Sequence, residues 1–161
     1  MNKVIAKYID VQVEFQTPCL ADFWPGPPKD MYTFFRDEDD CVVLRHRHLF
    51  AMLTKAKALI SSNIDIRKVD FVTSIVAATE PVLVKYEDGG QAKHEAIIQG
   101  QQVWFSFGLE SDVKYEDFMA LMTTAGKDIG LSPARSSENY GRFTVLTGEE
   151  QWLQDSTPIQ S

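Results

Sequence analysis

Arg45-His46-Arg47-His48 is the densest chemical run in the sequence. With Lys55 and Lys57 it puts four positive charges between residues 45 and 57, with no acid among them. Imidazoles serve as acid, base or ligand. Guanidinium forks suit phosphate or carboxylate. One reading is an anion or phosphate site led by Arg45 and Arg47. The other is a solvated junction that balances the acidic run Arg36-Asp37-Glu38-Asp39-Asp40 just upstream. His46 or His48 could instead serve a small hydrolase or nuclease. A metal site from His46, His48 and His94 is a further reading, although three isolated histidines rarely make one. No metal and no cofactor are expected.

The second constellation closes the chain's folded part. Gly126-Lys127-Asp128-Ile129-Gly130 leads through Arg135 to Tyr140-Gly141-Arg142-Phe143. Glycines permit close approach of a ligand. Lys127, Arg135 and Arg142 can grip phosphate, and Tyr140 and Phe143 can stack bases. Against this stands a plain connector between a helix and a strand. A third feature is Phe23-Trp24, two aromatics ahead of Pro25-Gly26-Pro27-Pro28, which fit either a partner surface or a lid on the core. There is no G-x-S-x-G elbow, no G-x-x-x-x-G-K-[ST] loop and no G-x-G-x-x-G. The carboxylate pairs Asp39-Asp40 and Glu149-Glu150 read as solvated. A non-enzymatic role is favoured.

These residues need elements to hold them. Residues 4–15 alternate, with Ile9, Val11, Val13 and Phe15 on one face and Asp10, Gln12 and Glu14 on the other, which is a half-buried strand. Residues 41–44 predict a short strand. Leu49, Met52, Leu53, Ala56, Leu59 and Ile60 recur at helical spacing within 48–61. Residues 69–76 and 82–86 are strand-like, separated by Glu80-Pro81. Asp88-Gly89-Gly90 predicts a turn. A strand over 95–107 bulges near Gly100. Ser111 or Asp112 caps a second helix, whose stripe is Tyr115, Phe118, Leu121, Met122 and Ala125 and which Gly126 ends. A long loop over 126–141 precedes a strand at 142–147. The order predicts one α+β domain over 1–147 with a ferredoxin-like β-α-β-β-α-β core. Its antiparallel sheet carries two helices on one face, plus an extra hairpin. Residues 148–161 predict an acidic, flexible tail that can be deleted without harm to the fold.

The chain has 161 residues, enough for one core. Sixteen basic residues against 23 acidic ones give a net charge of -7, which disfavours polyanions except at a local basic patch. Cys19 and Cys41 predict a reduced, cytosolic pair. No apolar run reaches membrane-spanning length, so no membrane partner is expected.

Thr17-Pro18-Cys19-Leu20 after the first strand, the aliphatic helix, and the closing Ala125-Gly126…Ile129-Gly130…Ala134-Arg135…Tyr140-Gly141-Arg142-Phe143 resemble a family of small proteins encoded in tailed-phage genomes. The glycine loop before the last strand also resembles the RAMP-type, ferredoxin-like RNA-binding proteins of CRISPR systems. The first resemblance implies phage origin and a place in the host-cell cytoplasm. The second implies RNA. The expectation is an accessory protein that binds RNA or single-stranded DNA through 126–143 and 45–57. The alternative is a protein-binding inhibitor of a host defence complex.

Overall fold

Ile9, Val11, Val13 and Phe15 are fully buried, and the residues between them are half-buried, in the computed structural model, which describes residues 4–131 and 140–153. That alternation builds β1 (Lys7–Phe15). In chain order there follow β2 (Cys19–Leu20), β3 (Phe35–Arg36), β4 (Val42–Val43), α1 (His46–Ile60), β5 (Asp70–Val72), β6 (Ser74–Ile75), β7 (Thr79–Lys85), β8 (Gln91–Ile97), β9 (Gln102–Leu109), α2 (Tyr115–Thr124) and β10 (Phe143–Trp152).

The main sheet has the order β10-β1-β9-β5, and every neighbouring pair is antiparallel. β1, α1, β5, β9, α2 and β10 are the six elements of a ferredoxin-like core, as the sequence predicts. The apolar face of β1 and β9 packs with Leu49, Met52, Leu53 and Ala56 of α1 and Phe118, Leu121 and Met122 of α2 in one cluster. The Phe107 and Phe118 rings lie 5.0 Å apart across that seam. Both helices therefore cover one sheet face, and no helix among the described residues covers the other.

The insertions are richer than one hairpin. β7 and β8 form the expected hairpin, and β2 joins it to make a second sheet, β2-β8-β7. β3, β4 and β6 form a third. Pro81 lies within β7 and does not end it. β7 is an edge strand, where a residue without an N–H is tolerated. Gly100 sits in a turn that passes the chain from β8 to β9, where a bulge was expected. In α1, Leu59 and Ile60 are exposed and leave the stripe. Lys114 is the α2 N-cap residue and no side chain caps that end, so neither Ser111 nor Asp112 has the expected role.

Gly126 does not end α2. The helix widens into a π-helical turn, Ala125–Ile129, closed by the Gly130 N–H on the Ala125 carbonyl at 2.7 Å. Gly126 serves a close approach instead, because a Cβ there would lie 2.3 Å from the Phe143 carbonyl oxygen. The last strand runs to Trp152, not to residue 147. Its end is held by Lys7, a buried lysine whose amine meets Glu150 at 2.8 Å and the Trp152 ring at 4.5 Å and donates to the Val113 carbonyl. The first residues of the expected tail thus belong to the sheet.

Candidate nucleic-acid interface

α1 begins without a side-chain cap and without an acid in its first turn. Two arginines at the positive end of a helix dipole are unfavourable on their own. Asp22, from the segment after β2, compensates. Its carboxylate lies 3.5 Å from Arg45 Nε, 3.5 Å from Arg47 Nη2 and 3.1 Å from His48 Nε2. Arg45 also lies over the Phe35 ring at 5.0 Å. Burial pushes the His48 imidazole below its ordinary value of 6.5; Asp22 opposes this, and Arg47 and Arg45 add to it. With His48 neutral, one carboxylate faces two guanidinium groups, so the cluster keeps one positive charge. Arg47 is its open member, with a side chain 67% exposed. The basic run is therefore balanced by Asp22 and not by the acidic turn at 36–40, whose Arg36 pairs with Asp40 and Glu95.

Cys19, Asp22, Arg45, His48 and Leu131 line one small cleft. A cysteine, a histidine and an aspartate in one cleft suggest a nucleophile, but the geometry denies it. Burial pushes the Cys19 thiol up to about 12, and its Sγ–H donates to the Leu131 carbonyl at 3.2 Å. A protonated thiol is a poor nucleophile and a poor ligand. The other histidines lie elsewhere. His46 meets the Phe71 ring edge at 4.4 Å. His94 is buried, with Nδ1–H on the Ala21 carbonyl at 2.6 Å and Nε2 accepting from the Tyr86 hydroxyl. The three-histidine metal reading thus loses its geometry, since the imidazoles go to separate partners.

The closing segment converges on the same cleft. Leu131 N donates to the Gly141 carbonyl at 2.9 Å, and Gly141 N donates to the Pro18 carbonyl at 2.7 Å. Arg142 N donates to Thr17 Oγ1 at 2.9 Å, and its guanidinium donates to the Lys127 carbonyl. Thr17–Leu20 is the common floor, with the closing segment on it and the start of α1 beside it. Lys127 is exposed on the π-helical turn.

Not every expected residue faces outward. Phe143 is buried, with its ring 5.9 Å from Phe15 and 6.0 Å from Phe105, so it offers no face to a base. Tyr140 is half-buried against the small cluster of Leu20, Val84 and Ala96. Arg135 lies outside the described residues. Phe23 is spent internally, on the Phe35 ring at 4.3 Å and on a backbone bridge to Thr33. Trp24 stays 45% exposed and leans on Tyr32 at 5.1 Å, lining a shallow groove with Leu83 and Lys93. The sequence reading missed Asp22. A lone aspartate carries no local signal, and only the fold brings it to Arg45.

The fold is shared with chains of two solved complexes. The chain aligns over 92% of its length with a subunit of a type III-B Cmr-beta complex bound to cognate target RNA, with a TM-score of 0.63 and 13% identity. It spans 61% of that subunit's length. It also aligns with a chain of a type IV-B CRISPR complex, over 96% of itself and 95% of that chain, with a TM-score of 0.55 and 11% identity. The fold is ferredoxin-like and is shared with chains of these complexes. No family model and no curated protein matches the sequence, so the resemblance to a phage family gains no support. No helix among the described residues is long and apolar enough to cross a membrane.

Proposed function

We propose that the protein binds single-stranded RNA along the surface where the start of α1 meets the closing segment, as a non-enzymatic accessory protein. One observation carries this reading: Arg45 and Leu131 line one cleft, so the two basic stretches become neighbours on a fold shared with a chain of an RNA-bound complex. Asp22 marks where an anion sits among the cations. Arg47, the most exposed of them, is the side chain free to add a phosphate. The type IV-B alignment covers nearly all of both chains. It supports a second reading, in which this chain takes a subunit's place in such an assembly and so interferes with it as a protein-binding inhibitor.

Fluorescence anisotropy with a labelled single-stranded RNA tests the first reading. Arg47→Ala is expected to weaken binding severalfold and to lower the dependence of log affinity on log salt by about one. Arg142→Ala tests the closing segment, with a melting curve alongside because Arg142 also bonds to Lys127. If wild type and Arg47→Ala bind alike at low salt, the RNA reading fails. Co-purification with CRISPR subunits but no RNA binding would favour the second.

A further inference from the structure

The open face of the main sheet is chemically unlike the cleft. Register places Tyr8, Asp10, Gln12 and Glu14 of β1 on it, beside Gln102, Trp104 and Ser106 of β9. β10 adds Thr144, Thr147, Glu149 and Gln151. No lysine or arginine occupies an outward position of these strands. Asp10 accepts from Ser106 Oγ, and Glu14 accepts from the Gln102 amide at 3.2 Å. Asp10 and Glu149 are direct partners across β1 and β10. Like charges opposed in this way destabilise a sheet, and no cation at an outward position of these strands relieves them. Large apolar groups lie beside the carboxylates: Trp104 of β9 is 42% exposed and Leu146 at the β10 bulge 44%, and Val72, on the edge strand β5 beyond β9, is 45% exposed.

We propose that this open face docks a partner protein that presents lysine or arginine side chains around an apolar patch. The carboxylates would each gain a counter-charge, Asp10 and Glu149 above all, and Trp104 and Leu146 would lose their exposure to water. A nucleic acid is the wrong ligand here, since its phosphates would meet only carboxylates. The surface is separate from the RNA cleft, so it stands or falls independently of the RNA reading.

The probe is a short synthetic peptide alternating lysine and leucine, with a lysine–serine peptide as control, titrated into the labelled full chain by NMR. Binding is expected to shift the Trp104 indole N–H and the side-chain amides of Gln12 and Gln102, while the Trp24 indole stays still. Glu149→Gln and Trp104→Ala are each expected to weaken binding about threefold or more. Melting curves report folding, and Glu149→Gln should melt at or above wild type because it removes one of two opposed charges. Shifts confined to other surfaces overturn the proposal, as do equal binding of the serine control and undiminished affinity in both variants. Self-association through this face also overturns it, in favour of a second copy as the occupant.

Discussion

His94 is locked in one tautomer, because Ala21 offers an acceptor to Nδ1–H and the Tyr86 hydroxyl donates to Nε2. Burial holds its imidazole below the ordinary value of 6.5, and it does the same for His48. Each group takes up a proton less readily in the folded chain than in the unfolded one. Stability is therefore full above about pH 6.5 and is lost as the pH falls from there toward the lower folded values. Glu95 titrates later. Burial would raise it, but the Thr79 hydroxyl, the Phe34 N–H and Arg36 bring it below its ordinary 4.5, so its contribution is lost only as the pH falls through that lower value. Urea midpoints should thus be lower at pH 5.5 than at pH 7.5, well before the carboxylates titrate. His94→Gln should be less stable at pH 7.5 and should show a flatter dependence between the two. An unchanged slope in that variant would assign the effect elsewhere.

Among the elements, the π-helical turn that follows α2 packs closely on β10 at Gly126. Alanine for glycine normally favours a helix by about 1 kcal/mol. At Gly126 the added Cβ would lie 2.3 Å from a backbone oxygen and 2.4 Å from the Phe143 ring, and the oxygen has no rotamer to escape into. Overpacking of this kind costs about 1–3 kcal/mol. Gly126→Ala should therefore lower stability by about 1 kcal/mol, and a higher melting midpoint would show that β10 gives way. This seam also shows which elements were legible in the sequence. β1 was readable because its period of two is local, and the buried stripe of α1 because its period is local too. Pro81 misled because edge position belongs to the sheet and not to the strand. Glu149, Glu150 and Gln151 looked like a tail because their partners, Asp10, Ile9 and Tyr8, lie at the other end of the chain. In the site, the basic run itself was legible. Asp22 was not, and neither was the burial of Phe143, because both depend on segments distant in sequence.

At the scale of the molecule, the net charge of -7 conceals two unlike surfaces, a basic cleft beside α1 and a carboxylate-lined sheet face. The two are held together by pairing of the first and last strands. A chain ending after Leu153 keeps Glu150 and Trp152 against Lys7. One ending after Thr147 leaves the Lys7 amine buried beside the Val113 carbonyl without its carboxylate. Stranding a buried charge costs about 3–5 kcal/mol. The shorter chain should therefore melt far lower, contrary to what a dispensable tail would give, while the longer should match the full chain. The central place of β1 has a further consequence, for synthesis. Its two partners are β9 and β10, so β1 leaves the ribosome roughly 90 residues before its first partner does. At about 5–20 residues per second it waits on the order of several seconds with both edges unpaired. For that interval its apolar face and its backbone donors and acceptors are open to other nascent chains. Slower translation lengthens this exposure, so the yield of soluble protein should depend on how fast β9 follows.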